Sequence, residues 1–167
     1  MAEENEEESR EESDLPPSFF PFDADEDLIQ EPFDLGEPVE VSVEGVFFAE
    51  TGSNVSRFVL LTDGERKLPI VIGAPEAVSI SIPLEGSQTD RPLTHDLLKS
   101  ILEKLGGNIT KIVIDDIWNK TYYAKIFIQH GKTLLEVDSR PSDAIALALR
   151  CEVPIYVRDG ILDQTDD

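Results

Sequence analysis

The sequence predicts an α+β domain: a mixed, largely antiparallel sheet of about seven strands with about three helices, in a single domain. Three observations lead there. Apolar and β-branched runs are joined by short turn signals, Asp63-Gly64, Asn119-Lys120 and His130-Gly131, which make hairpins and so antiparallel pairs. Segments after Gly73, Thr94 and Pro141 change to helical spacing. The resulting order is three strands, two helices, three strands, a helix and a strand, without the regular alternation of a doubly wound parallel fold.

The 167 residues suffice for one domain. Charge divides them unevenly. Residues 1–36 hold 14 acids and only Arg10, residues 37–162 hold 18 acids and 13 bases, and residues 163–167 add three aspartates. The expected divisions are an acidic, largely disordered arm at 1–36, a domain at 37–162 and an acidic tail at 163–167. Residues 1–14 have almost nothing to bury and cannot offset their ordering entropy. Phe19, Phe20, Phe22, Leu28, Ile29 and Phe33 sit among acids and prolines, which suits an arm that docks on a partner or on its own domain. The plainer alternative is a solubilising leader. The lone Cys151 cannot form an internal disulfide. No apolar run approaches the roughly 18 residues of a membrane span, and the first residues are acidic where a secretory signal is basic and then apolar. A soluble cytoplasmic protein with no membrane partner is expected.

Taken in order, Val39, Val41 and Val43 alternate with polar residues as a half-buried strand, with Gly45 as a bulge before Val46-Phe47-Phe48. Thr51 to Asn54 turns. Phe58 to Leu61 is a second strand and Leu68 to Ile72 a third, where Pro69 requires the strand's start or a sheet edge. Ala74-Pro75-Glu76-Ala77 opens a short helix, with Pro75 tolerated in the first turn and Glu76 near the positive dipole end; it is expected to end before Pro83. Thr94 is the expected N-cap of the next helix. There Leu97, Leu98, Ile101, Leu102 and Leu105 form one apolar stripe, stopped by Gly106-Gly107. Ile109 to Trp118, Tyr122 to Ile128 and Thr133 to Val137 are strands. Pro141 starts a helix ending near Arg150, and Pro154 to Val157 is a last short strand.

Chemistry concentrates at two helix starts. Asp138-Ser139-Arg140-Pro141-Ser142-Asp143 packs two carboxylates, a guanidinium and two hydroxyls before an apolar run. His95 is placed at the first helical position, beside Asp96 and soon after Arg91. A helix dipole disfavours an imidazolium there, which suits a neutral general base. Asp96, Asp138 and Asp143 are candidate ligands for a hard divalent cation such as magnesium or manganese, with Arg140 and Arg91 to neutralise a phosphodiester. The reading without catalysis is equally concrete: Ser139 or Ser142 caps a helix with Pro141 at its first position, and an Arg140–Asp96 pair joins the two helix starts. Cys151 is expected to be an inert buried thiol. The sequence has no Gly-rich phosphate loop and no paired Cys or His zinc motif.

Three stretches, Pro69-Ile70-Val71-Ile72-Gly73-Ala74-Pro75-Glu76-Ala77, Arg91 to Leu98 and Asp138 to Ile145, together with Thr121-Tyr122-Tyr123-Ala124, resemble in that order the bifunctional nuclease domain family. The resemblance covers roughly residues 37–162. It implies a compact α+β domain, often an oligomer, and nuclease activity, since some plant members are described as cutting DNA and RNA. The acidic arm lies outside the resemblance and would repel nucleic acid, whose binding depends on cationic contacts with phosphate.

Two functions follow as expectations. The first is a nuclease hydrolysing phosphodiester bonds in DNA or RNA. Asp96, Asp138 and Asp143 would hold magnesium or manganese, His95 would activate water, Arg140 would stabilise developing charge, and Arg91, Ser139 and Ser142 would bind substrate. The second is a non-catalytic, homo-oligomeric interaction module with a regulatory acidic arm. The excess of acids over bases in the domain disfavours nucleic acid as a partner and favours the second.

Overall fold

The computed structural model describes residues 34–52 and 54–163. The acidic arm up to Phe33 and the tail from 164 lie outside the described residues. The elements are β1 (Pro38–Thr51), β2 (Asn54–Thr62), β3 (Lys67–Ile72), α1 (Ala74–Leu84), α2 (Thr94–Lys104), β4 (Gly107–Trp118), β5 (Thr121–His130), β6 (Thr133–Ser139), α3 (Pro141–Cys151), β7 (Ile155–Arg158) and the one-turn α4 (Asp159–Leu162). The sheet order is β3-β2-β1-β7-β4-β5-β6. Only β4 and β7 run parallel; the other neighbours are antiparallel. The mixed α+β fold expected from the hairpin signals is therefore present, with α4 as an unexpected short addition.

Local chemistry explains most of the elements. The register of β1 against β2 shifts between Val43 and Gly45, the bulge that the glycine announced. Asn119 and Lys120 both have positive φ, 48° and 62°, as a two-residue hairpin loop between twisted strands requires. Pro69 sits in β3, an edge strand, where its missing N–H costs no ladder bond on the open side. Gly106, at φ +82°, ends α2 in the left-handed conformation.

One face of the sheet carries the core. Val59 and Leu61, Leu68 and Ile70, Ile112 and Ile114, Ala124 and Ile126, and Ile155 and Val157 are buried at alternate positions on five strands. The apolar helix α3 lies over β4 and β5, flanked by α1 and α2. Ala144, Ile145, Ala146, Leu147 and Ala148 are all buried, so α3 is covered nearly all round. The alanines keep it thin enough for two neighbouring helices to reach the sheet beside it.

Three details of the helices differ from the sequence expectations. First, α1 does not stop before Pro83 but includes it in its last turn. A proline at this position cannot donate to the Ser79 carbonyl one turn earlier. Arg150 Nη1 donates to that carbonyl instead, at 2.8 Å, so the helix continues without an unsatisfied acceptor. Second, Leu93 rather than Thr94 occupies the N-cap of α2; Asp96 Oδ2 accepts the Leu93 N–H at 2.8 Å, and His95 is the second helical residue. Third, the N-cap of α3 is Arg140, and neither Ser139 nor Ser142 caps it. Ser139 Oγ bonds the Ala124 carbonyl across the sheet.

The Arg150 side chain is 5% exposed. It also donates from Nε to Asp96 Oδ1 at 2.7 Å and from Nη1 to the Ala146 carbonyl at 2.9 Å. Arg150→Met would leave Asp96 without its cation and the Ser79 carbonyl without a donor, lowering the urea-unfolding free energy by about 3 kcal/mol. Adding Pro83→Ala restores a helix N–H for Ser79 and recovers about 1 kcal/mol more than the same change recovers in the wild type. Equal effects of Pro83→Ala in both backgrounds would break the proposed link between proline and arginine.

Candidate functional site

Three helices, the end of β6 and Ile126 of β5 converge on a groove of about 950 Å³. From α1 come Glu76 and Ser79, three residues apart and so on one side of the helix. From the start of α2 comes His95. From the β6–α3 junction come Arg140 and Asp143, again three apart. Asp143 lies in the first turn of α3, where the helix dipole favours a carboxylate.

Their side chains form a continuous chain of hydrogen bonds. Ser79 Oγ lies 2.7 Å from His95 Nδ1, and His95 Nε2 lies 3.0 Å from Asp143 Oδ1. Arg140 grips the same carboxylate, Nε to Oδ2 at 2.7 Å and Nη2 to Oδ1 at 3.1 Å. Its Nη1 reaches Glu76 Oε1 at 3.1 Å. Burial pushes the Asp143 carboxyl upward, but the hydrogen bonds and charge of Arg140 and the bond from His95 outweigh it and hold Asp143 below its ordinary value. Asp143 is therefore an ionised acceptor, and His95 Nε2 must carry the hydrogen. A neutral His95 then presents the Nδ1 lone pair to the Ser79 hydroxyl, which donates. The Arg140 guanidinium is held as a stronger cation than usual by the bond and charge of Asp143, with Glu76 adding to both.

The structure sorts the residues that sequence proposed. His95, Asp143 and Arg140 are brought into direct contact. Asp138 and Ser139 line the same groove, and Asp138 is exposed on β6. Ser142 lines a second groove of about 800 Å³ instead; Glu76 and Arg140 border both, so their ion pair forms the shared wall. Arg91 is exposed and lines neither. The Arg140–Asp96 pair does not form, because Asp96 is bonded by Arg150 and Arg140 by Asp143 and Glu76. Nor do Asp96, Asp138 and Asp143 assemble a ligand set. Among the described residues no three His, Cys, Asp or Glu are placed to hold a metal. The carboxylate oxygens of Asp96 and Asp143 already accept from cations and N–H groups, so they do not fit magnesium or manganese in this arrangement. Cys151 is partly buried and burial raises its thiol, as suits an inert residue.

Sequence reasoning missed Ser79 and Arg150. Arg150 had a signal: an arginine closing an apolar helix must be buried with it and must find a carboxylate. Ser79 had only a faint one, its three-residue spacing from Glu76 within a run of isoleucine and valine. No helix among the described residues is long and apolar enough to cross a membrane.

Comparison with known proteins gives a consistent relationship. A family model for the bifunctional nuclease domain matches residues 59–166. An uncharacterized protein of Mycobacterium tuberculosis is 36% identical over 125 residues, 75% of this chain and 74% of that protein. Bifunctional nuclease 2 of Oryza sativa subsp. japonica is 30% identical over 106 residues, covering 60% of this chain but 32% of its own length. Bifunctional nuclease 1 of Arabidopsis thaliana is 28% identical over 93 residues, 54% of this chain and 29% of its own.

Two ion-paired aspartates at the helix starts, Asp96 and Asp143, add to the acid sensitivity of stability. Burial opposes ionisation of Asp96, but the Leu93 N–H and Arg150 prevail and hold it low, as Arg140 and His95 do for Asp143. Unfolded aspartates titrate at about 3.9. Because the folded values lie lower, the full contribution is present above about pH 4 and is lost as pH falls through the folded values. The urea midpoint should therefore drop steeply below about pH 4, and Asp96→Asn should flatten that drop while lowering stability at neutral pH. An unchanged acid slope would refute the ionised assignment.

Proposed function

The chain belongs to the bifunctional nuclease domain family, and from that premise we propose that it hydrolyses phosphodiester bonds of nucleic acid in the groove around His95. The observation that carries this is the position of His95, held between the Ser79 hydroxyl and the Asp143 carboxylate on the wall of a groove large enough for a nucleotide. A histidine oriented by an ionised carboxylate is a general base whose protonated form the carboxylate stabilises. Arg140 supplies the charge partner. Its side chain is 65% exposed, and a phosphate can compete for the N–H groups that now reach Glu76. The plant relatives named as nucleases support the reaction class.

Electrostatics narrow the substrate. With 18 acids against 13 bases in residues 37–162, the domain offers no broad basic track for duplex DNA. A strand gripped through one or two phosphates at Arg140 fits this balance better. Highly purified full chain should cut single-stranded DNA or RNA in buffers with and without magnesium or manganese. Arg140→Ala should lower kcat/KM by roughly 100-fold, with the chain still folded at assay temperature and its unfolding midpoint reduced by the loss of the Asp143 pair. His95→Gln should lower kcat by roughly 100-fold or more. A folded wild type that cleaves neither polymer would overturn the proposal.

A specific observation favours the second reading, a homo-oligomeric interaction module. The apolar stripe of α2 does not face the core: Leu97, Leu98, Ile101 and Leu105 are exposed, and only Leu102 packs inward. On the edge strand β6, Leu134, Leu135 and Val137 are also exposed. Apolar faces of this kind serve as association surfaces. Sedimentation should show a species larger than the 18.6 kDa chain, and Ile101→Glu should reduce it to the monomer. A wild type that sediments as a monomer at tens of micromolar would retire this reading.

A further inference from the structure

Both ring nitrogens of His95 are engaged, Nε2 by Asp143 and Nδ1 by Ser79. Direct activation of a water would need a ring nitrogen free to meet it. The atom that His95 is placed to deprotonate is Ser79 Oγ, at 2.7 Å. Serine inside a helix ordinarily turns its hydroxyl to solvent or to a carbonyl one turn back. Here the hydroxyl leaves its helix for a histidine on another one. Ser79 is only 9% exposed, yet it lines the groove beside His95 and Asp143. Its main chain is also pinned, since Arg150 Nη1 takes the Ser79 carbonyl that Pro83 cannot bond. Hydroxyl, imidazole and carboxylate thus stand in the order nucleophile, base and orienting group, with the ring reversed so that Nδ1 faces the serine.

We propose that Ser79 Oγ is the nucleophile of this site and that hydrolysis proceeds through a covalent intermediate in which Oγ is esterified to the phosphate of the retained nucleotide, an inference that rests on the hydrolytic function proposed above. In the first step the Oγ–P bond forms while the Ser79 proton passes to His95 Nδ1. The P–O bond to the departing nucleoside breaks, and its oxygen takes the proton from Nδ1. In the second step water attacks phosphorus and gives a proton to Nδ1; the P–Oγ bond breaks and that proton returns to Oγ. Asp143 stays ionised throughout and holds the Nε2 hydrogen. Arg140 shares Asp143 Oδ1 with His95, which sets its guanidinium beside the imidazole and near the phosphoryl oxygens.

The test uses the full chain and a fluorophosphonate probe, which phosphonylates an activated serine by displacing fluoride. Intact mass and peptide mapping should show one adduct, on Ser79. His95→Gln, which keeps the serine, should abolish labelling, and Ser79→Ala should lose both labelling and at least about 1,000-fold of the nucleic-acid hydrolysis, with an unchanged circular dichroism spectrum. Hydrolysis by Ser79→Ala at the wild-type rate, or labelling that survives His95→Gln, would overturn the covalent step while leaving the hydrolytic function intact. His95-dependent labelling of Ser79 in a wild type that cuts no nucleic acid would retain the nucleophile and overturn the substrate class instead.

Discussion

A buried guanidinium must find acceptors where it lies, and that constraint on Arg150 organises the helical layer. Its Nε binds the Asp96 carboxylate on α2, and its Nη1 binds main-chain carbonyls of α1 and of its own α3. Three helices are thereby referred to one side chain. Leaving such a cation unpaired costs several kcal/mol, so alternative packings of the helices are strongly disfavoured. Nη2 remains without a partner among the described residues, a cost that the other bonds offset. The same atoms that tie the helices together place Ser79 and His95 on facing helices within hydrogen-bond distance.

A second set of contacts is built on that frame. Glu76, Arg140, Asp143, His95 and Ser79 form one line of donors and acceptors across the groove. Each of the three helix starts contributes a charged or titratable group, Glu76 from α1, His95 from α2, and Arg140 with Asp143 from α3, and the dipole favours the two carboxylates there. Structural and chemical roles are divided between two arginines. The Arg150 side chain is buried and its Nε and Nη1 are tied to the scaffold, whereas Arg140 is open to the groove, where the proposed hydrolysis would have it exchange a carboxylate for a phosphate. Polar groups do join the helices, but the arginine that meets Asp96 is Arg150, at the end of α3, and not Arg140 at its start.

Strand pairs were readable because their determinants are local. Gly45 announces a bulge, Asn119-Lys120 a two-residue turn and Pro69 an edge, and each depends on backbone geometry within a few residues. The helix boundaries were less so. Pro83 ends a helix only when nothing else serves the carbonyl it abandons, and that service comes from a residue 67 positions later. The leucine stripe of α2 has correct helical spacing, yet most of it faces away from the core. Periodicity reports that a face is apolar and not what covers it.

The candidate site divides along the same line. His95, Arg140 and Asp143 were identifiable from residue type and from their position at helix starts, and the family was identifiable from the ordered motifs around them. Their mutual contact, the exclusion of Asp96 and Asp138 from a shared ligand set, and the participation of Ser79 came only with the tertiary structure. By itself the sequence determined the hairpins, the apolar helix α3, the fold class and the places where polar chemistry gathers, since these follow from short-range spacing and turn geometry. Only the packed structure decided which carboxylate meets which cation and which hydroxyl meets the imidazole. Those choices are made by distances of about 3 Å between residues dozens of positions apart, set by how the helices pack on the sheet.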